Sequence, residues 1–400
     1  MTDNMTIPLP YRRAQLDPAP ELSSLQAADR LTRQKAPNGE PVWLVTRFED
    51  ACQVLGDARF STARTPQTLI RPAATGEAAI AAPARQPGSF LGYDPPEHTR
   101  LRQMVSKGFT ARRVNQMQPL VQKFVDQALD AMEQADPPVD LMPAFAARVP
   151  SDVICELLGI PVEDRPEFQD HTFRAFDQTL DRAQLIETFS AMRDYMGALI
   201  ARKRRRPDDS VIGLLIREHG AELSDAELTG IGNLLLVAGH DTTANVLALG
   251  VMLLLRHPEQ LAALRDNPAV AYDAVEEINR YLSVAQSGLI RTATEDITVG
   301  ETLITAGDYV MVSIPVANRD PKYHQDPDRF DIHRGPTRHV AFGYGIHHFL
   351  GAQLARQELR LALPALFQRF PGLRLAVPVD EIPFRSFATV YGVYSLPVTW

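Results

Sequence analysis

The stretch RHVAFGYGIHHFLGAQLAR, residues 338–356, combines residue types that could build a binding loop. Three glycines flank two adjacent histidines, His347 and His348, and an apolar helical pattern follows from Leu350. Glycine permits positive φ and close approach of the backbone to a flat ligand. The positive N-terminal end of the following helix would point at the same ligand. The residue after the histidines is Phe349, whose benzyl side chain has no lone pair to offer a metal.

A second set of chemically capable residues lies in AGHDTT, residues 238–243, in the middle of a long apolar helical pattern. Gly239 there costs about 1 kcal/mol relative to alanine, so its position calls for a close neighbour. Asp241 and Thr242, with His240 beside them, could accept or pass protons next to a cavity. A kinked core helix, with the threonine hydroxyl bonded to a carbonyl one turn earlier, explains the same residues.

Two pairs of charged residues have the spacing of one helical turn. Glu277 and Arg280, in EEINR, are placed to form an ion pair, although such pairs are also common on solvated helix surfaces. His98 and Arg102, in EHTRLR, lie on one helix face, where two donors could hold a carboxylate. A solvated helix face is the alternative interpretation of this second pair.

The elements that would position these residues are mainly helical. Apolar residues recur at three- and four-residue spacing from residue 97 to residue 282, and Ser224 with Glu227 predicts a capping box that starts a helix of about 30 residues. Val42–Thr46 and the alternating residues 289–314 predict strands. The Pro-, Ala- and Gly-rich residues 65–96 predict a long irregular loop, as in lids and binding loops. We therefore expect one mainly α domain, residues 1–400, with a smaller β-rich portion.

Composition excludes several classes of protein. The net charge of −8 argues against nucleic acid as a partner. Cys52 and Cys155 lie on apolar helical patterns without a second cysteine nearby, which favours two core residues in a reducing cytoplasm. The N-terminus lacks the apolar run of a signal peptide. Residues 234–255 are apolar enough to cross a membrane, but His240 and Asp241 near the middle favour a buried core helix instead.

The order and spacing of AGHDTT, EINR, PDRF and FGYGIHHFLGAQLAR resemble the cytochrome P450 family of haem-thiolate monooxygenases. The resemblance extends from WLVTRFEDACQVLGDARFS to LPVTW, so it covers nearly the whole chain, and it is nearest to bacterial members of secondary metabolism. It implies the cytochrome P450 fold and a bulky hydrophobic small molecule as substrate.

Site residues follow from the resemblance position by position. The resemblance implies that Glu277, Arg280 and Arg329 form a buried structural ion-pair network. The residues implied to hold the two haem propionates are His98, Arg102, Arg291 and His347. The oxygen side is implied to be lined by Gly239, Asp241 and Thr242, with the last two relaying protons. The loop that carries the axial ligand is matched by Phe342, Gly343, Gly345, His347 and Gly351. Residues 65–90 and the helices around 165–200 are implied to cover the substrate.

The chain departs from the family pattern at Phe349, which stands where the family has the cysteine thiolate that ligates iron. A phenyl ring cannot replace that ligand, and His348, next to it, is a poor substitute because consecutive loop residues point in different directions. The sequence therefore predicts no metal ligand from this loop, and either no cofactor or haem without thiolate ligation.

Three hypotheses follow, and the sequence leaves them open. The first is a haem-free or haem-altered cytoplasmic enzyme that uses His240, Asp241 and Thr242 for non-redox acid–base chemistry. The second is an ordinary monooxygenase whose cysteine was replaced, which would need a ferredoxin partner. The third is a non-catalytic helper that activates a glycosyltransferase. All three exclude nucleic-acid and membrane partners.

Overall fold

A computed structural model describes residues 7–28, 30–36, 38–66, 69, 86–166, 174, 182–286, 289–386 and 388–400. Helices dominate, as the sequence predicts. Their bounds are α1 Pro20–Ala27, α2 Phe48–Gly56, α3 Glu97–Ser106, α4 Ala111–Glu133, α5 Arg148–Leu158, α6 Arg182–Arg205, α7 Val211–His219, α8 Asp225–Leu255, α9 Pro258–Asp266, α10 Ala271–Leu282, α11 Ile314–Ala317 and α12 Ala352–Arg369.

The strands form a smaller β portion. Their bounds are β1 Arg13–Ala14, β2 Asp17–Pro18, β3 Thr32–Lys35, β4 Pro41–Val45, β5 Phe60–Ser61, β6 Val139–Asp140, β7 Ile290–Ala293, β8 Ile297–Val299, β9 Thr302–Ile304, β10 Tyr309–Val312, β11 Arg374–Leu375 and β12 Pro397–Thr399. The largest sheet has the order β3-β4-β10-β7-β5, in which β4 and β10 are parallel, with Val310 opposite Trp43. The β-branched residues predicted as strands therefore lie in this sheet and in the β8–β9 hairpin.

The central helix, α8, runs through the largest hydrophobic core. Ser224 and Glu227 form the predicted capping box, and the helix ends at Leu255, after 31 residues. It is long and apolar enough to cross a membrane, but 72% of its most apolar window is buried inside the protein. It packs against α5, α6, α10 and α12, which identifies it as a core helix and explains its apolar residues on every side.

One helix boundary differs from the sequence pattern. A proline in a helix interior favours a break, yet α4 continues through Pro119. The α-helical run is interrupted instead by a short 3-10 turn at Lys107–Phe109. Thr110 then caps α4 by accepting a hydrogen bond from the Arg113 N–H at 3.5 Å. The cap and the burial of Phe124 and Val125 offset the missing N–H of the proline.

Most of the predicted cover over the substrate lies outside the described residues. Residues 67–68, 70–85, 167–173 and 175–181 belong to that part of the chain. The expectation for the 65–90 loop and for the first helical turns after residue 165 therefore stays a prediction.

Candidate active site

The loop before α12 has a backbone fixed by its glycines. Gly343 and Gly345 adopt φ of 75° and 69°, in the left-handed region that favours glycine. A Cβ on Gly345 would lie 2.6 Å from the carbonyl oxygen of Leu55, so the loop is pressed directly onto α2. The Phe349 N–H donates to the Phe342 carbonyl oxygen at 2.8 Å. The backbone at Phe349 is therefore held by main-chain contacts that do not involve its side chain.

The phenyl ring of Phe349 occupies the space beside this loop. It lies parallel to the ring of Phe342, with centroids 6.1 Å apart and an interplanar angle of 12°. A Cβ on Gly351 would be 2.9 Å from the ring, so glycine at that position leaves room for it. The ring faces an apolar cavity and offers that cavity no lone pair.

A cavity of about 120 Å³ lies between the central helix and the loop. Its walls come from α3, α5, α8 and α12 as well as the loop, and they are mostly apolar. The lining residues used below are Arg102, Ile154, Gly239, Phe349 and Glu358. The space that a side chain at Gly239 would fill is taken by Ile154, whose Cδ1 would be 3.1 Å from a Cβ there. Gly239 thus allows α5 to approach the central helix at the cavity wall.

Four of the predicted cofactor-binding residues meet at one side of this cavity and form what we call the His–Arg cluster: His98, Arg102, Arg291 and His347. The His98 and His347 ring centroids are 4.4 Å apart, and Arg102 donates to the His348 carbonyl oxygen at 2.6 Å. Arg291 is 3% exposed and donates to the carbonyl oxygen of Ile290 at 3.0 Å. Neither ring nitrogen of His98 has a hydrogen-bond partner among the described residues. The sequence motifs are distant along the chain, so the fold itself assembles this cluster.

The His–Arg cluster has less negative charge near it than would balance its buried cationic groups. Burial, together with the neighbouring Arg291 and His98, lowers the pKa of His347 to about 3. Burial also lowers the pKa of Arg291 to about 10. The carboxylate that opposes these effects is Asp94, whose oxygens already accept hydrogen bonds from Ser61 and from the N–H of Thr62. The cluster would therefore be stabilised by an added anion.

This arrangement fits one half of the cofactor that the resemblance implies. The buried Arg291 guanidinium, the partly buried Arg102 and His98, whose ring nitrogens lack a partner among the described residues, suit the two carboxylates of haem. The position where the resemblance implies the axial ligand does not fit, because the side chain of Phe349 cannot ligate iron. The Nε2 of His347 lies 3.3 Å from the Thr62 hydroxyl. Among the described residues, no group of three or more His, Cys, Asp and Glu side chains could hold a metal ion by itself.

The predicted acid–base residues of the central helix are engaged with the protein. Asp241 is 5% exposed and binds Arg385, with Nη1–Oδ1 at 2.7 Å and Nη2–Oδ2 at 3.2 Å. Asn245 donates to Asp241 Oδ1 at 3.0 Å. The Thr242 hydroxyl donates to the Ala238 carbonyl oxygen at 2.9 Å, the back-bond that the sequence suggested as one alternative.

His240 does not line the cavity. Its pKa is lowered to about 4 by burial, and its ring is hydrogen-bonded to the backbone of Ala147, so it is neutral near pH 7. This placement gives no support to the prediction that His240 takes part in acid–base chemistry.

The pairing of Asp241 with Arg385 leads to a prediction about stability. Asp241→Asn should lower the free energy of unfolding by about 3 kcal/mol, because it leaves the buried Arg385 guanidinium without its carboxylate. Urea unfolding measures the change. Adding Arg385→Met to the same chain should recover most of the loss, and a double variant less stable than Asp241→Asn would contradict the assignment.

The predicted ion-pair network forms, with one correction. Arg280 is fully buried and donates to both oxygens of Glu277, at 2.7 and 2.8 Å. The side chain of Arg329 is 70% exposed, and its single ion-pair partner within the described part of the chain is Asp331, at 3.7 Å, so the prediction that it belongs to the network is wrong. Arg334 takes that position and donates to Glu277 Oε1 at 3.2 Å. The Arg329 backbone explains the difference, since its carbonyl oxygen accepts from Arg280 at 3.4 Å while its side chain points outward.

Sequence reasoning missed Glu358, a carboxyl group that faces the cavity from α12. It is 4% exposed, and its Oε2 has no hydrogen-bond partner among the described residues. Burial raises its pKa well above the ordinary value for glutamate. Its spacing from Leu354 and Ala355 puts it on the apolar face of α12, and an acid on such a face was the available signal.

Glu358 should make stability depend on pH. The folded chain keeps its proton above the pKa of an unfolded glutamate, so stability falls as pH rises from about 4.5, by up to about 1.4 kcal/mol per pH unit. Glu358→Gln should remove this part of the dependence and raise stability at pH 7. Thermal unfolding of both proteins between pH 4 and pH 8 tests it, and parallel profiles would contradict it.

Comparison with known proteins agrees with the geometry. The cytochrome P450 family model matches residues 184–381. Nocardicin C N-oxygenase from Nocardia uniformis is 43% identical over 388 residues, 96% of each chain, and pentalenic acid synthase from Streptomyces avermitilis is 44% identical over 391 residues, 97% of this chain and 96% of that one. The crystal structure of cytochrome P450 MoxA from Nonomuraea recticatena superposes with a TM-score of 0.90 at 39% identity and covers 97% of both chains. The fold, the assembled site and near-full-length identity above 40% together show that the chain belongs to the cytochrome P450 family.

Proposed function

We propose that this chain is a cytoplasmic enzyme of bacterial secondary metabolism that acts on a bulky hydrophobic small molecule by acid–base chemistry, without thiolate-dependent oxygen activation. The observation that supports the proposal is the Phe349 ring, which faces the cavity and stands at the sequence position where the resemblance implies the axial cysteine. The named relatives, a nocardicin C N-oxygenase and a pentalenic acid synthase, support secondary metabolism and a small-molecule substrate.

The His–Arg cluster would hold the carboxylates of a bound haem. In thiolate-ligated relatives haem supplies oxygen activation, for which the sulfur donates electron density. Nothing at position 349 donates electrons in this way, so no oxidative step follows from the residues of this chain.

One acidic group that lines the cavity, Glu358, supports acid–base chemistry. Burial raises the pKa of Glu358 and so favours its protonated form. Its Oε2, which has no hydrogen-bond partner among the described residues, could donate a proton to a basic atom of a ligand. Asp241 is held by Arg385 and Asn245, and it can accept a proton only when that ion pair opens. Glu358 is therefore the proton donor that we propose. The roles of Asp241 as proton acceptor and of Thr242 as hydroxyl relay stay predictions, because neither residue is among the described residues that line the cavity.

An absorbance spectrum of the full chain, purified after growth with a haem precursor, tests the proposal. We expect either no Soret band or one whose reduced carbon monoxide adduct lacks the long-wavelength shift of thiolate-ligated haem. A thiolate-type carbonyl band would overturn the proposal.

The second hypothesis, a monooxygenase with a replaced cysteine, is favoured by the retention of the His–Arg cluster together with Asp241 and Thr242. It predicts a ferredoxin as electron donor and is tested by the cysteine variant described in the Discussion. Neither the described contacts nor the relatives named above favour a helper of a glycosyltransferase, and we do not propose that role.

A further inference from the structure

The cavity and the His–Arg cluster adjoin each other through Arg102 and His347, which belong to both. We propose that this combined site binds a planar, apolar dicarboxylate of the tetrapyrrole class, and that a metal in the ring contributes nothing to its affinity. The inference rests on the proposed loss of thiolate ligation and extends it to the identity of the ligand.

The arginine and histidine side chains of the His–Arg cluster favour an anionic ligand. The Arg291 guanidinium has five N–H donors, and the described contacts give it a single carbonyl oxygen. His98, at 2% exposure, has no partner for either ring nitrogen among the described residues. Buried polar groups left in this state are costly, and two carboxylates would satisfy them with charge-assisted hydrogen bonds.

The rest of the site favours a ligand whose remaining surface is apolar. Phe109, Val153, Ile154 and Leu350 line the cavity together with the Phe349 ring. An aromatic ring at position 349 can pack against a flat ligand, and burial of apolar area favours this contact. Thus the anionic end and the apolar face of the ligand meet different parts of one continuous site.

The described side chains of the site offer no ligand atom to the metal of haem. Phe349 has no lone pair. Among the described residues that line the cavity, His347 is the one histidine. Its ring lies against His98, and its Nε2 is 3.3 Å from the Thr62 hydroxyl. Iron in the ring would therefore gain no ligand from these side chains.

The experiment titrates the haem-free full chain with three probes: metal-free protoporphyrin, haem, and the dimethyl ester of metal-free protoporphyrin. Absorbance and quenching of intrinsic fluorescence report binding. We expect the dissociation constants of the metal-free acid and of haem to agree within about threefold, and the uncharged ester to bind at least about tenfold more weakly.

Charge variants locate the site. Arg102→Gln and Arg291→Gln should each weaken the free acid about tenfold and leave the ester unchanged. Arg329→Gln is the matched control, because its side chain is 70% exposed and lies away from the cluster. Circular dichroism confirms folding, and Arg102, which is only partly buried, keeps the test valid if Arg291→Gln unfolds.

Iron-dependent affinity would overturn the inference. Haem that binds more than about tenfold more tightly than the metal-free ring shows a ligand on the metal, and an ester that binds as tightly as the acid shows that the cluster does not contact the carboxylates. If haem binds more tightly but its carbonyl spectrum lacks the thiolate shift, this inference fails and the proposed function stands. A thiolate-type spectrum would instead refute the proposed function.

Discussion

Replacing Phe349 by cysteine is expected to convert the site into one that ligates haem iron through sulfur. The backbone at this position is held by the Phe342 carbonyl oxygen and by the contact of Gly345 with α2, neither of which involves the phenyl ring. A thiolate placed there would face the cavity, with the His–Arg cluster at its side. The reduced carbon monoxide spectrum measures the result, and we expect the long-wavelength band of thiolate-ligated haem to appear.

Phe349→Ser is the matched control, because it also removes the ring but supplies a hydroxyl in place of the thiol. It should bind haem without the thiolate band. The second hypothesis further predicts that Phe349→Cys oxidises substrate when a ferredoxin supplies electrons. If the cysteine variant binds haem but shows no thiolate band, the assignment of position 349 as the axial position is wrong.

The second large effect is expected at the buried ion pair of α10. Glu277→Gln should lower the free energy of unfolding by about 3–5 kcal/mol, because Arg280 and Arg334 both lose their carboxylate partner and Arg280 has no access to water. Arg280→Met should cost a similar amount, since it leaves Glu277 buried and the Asn318 and Pro327 carbonyl oxygens without their donor. Denaturant unfolding at constant pH measures both.

Arg329→Met serves as the control for this experiment. Its side chain is exposed, so the change in the free energy of unfolding should stay within about 0.5 kcal/mol. A loss at Arg329 as large as that at Arg280 would restore the original prediction for the network and remove Arg334 from it.

The sequence was informative where structure depends on local pattern. The central helix was predictable because its capping box and its apolar residues are contiguous, and the Glu277–Arg280 pair was predictable because one helical turn separates its members. Strands β7 and β10 of the main sheet were predictable from alternating β-branched residues, whereas β3 and β5 were not predicted. These features need no knowledge of which distant segments meet.

Contacts between distant segments could not be predicted in this way. Arg385 meets Asp241 across 144 residues, and nothing near Arg385 in the sequence indicates a partner on the central helix. Arg334 and Arg329 are five residues apart in an irregular segment, where no periodicity tells which side chain points inward. The burial of Glu358 depends on the packing of α12, which the sequence alone leaves undetermined.

The backbone frame of the loop, formed by the contact of Gly345 with α2 and by the hydrogen bond from the Phe349 N–H to the Phe342 carbonyl oxygen, also affects how the site can change in evolution. Because the main-chain contacts of that frame do not involve the side chain at position 349, we expect that side chain to be exchangeable while the frame is kept. Phenylalanine and cysteine codons differ by a single base at their second position. One point mutation therefore separates the two chemistries, and a lineage can cross between them in either direction without rebuilding the scaffold.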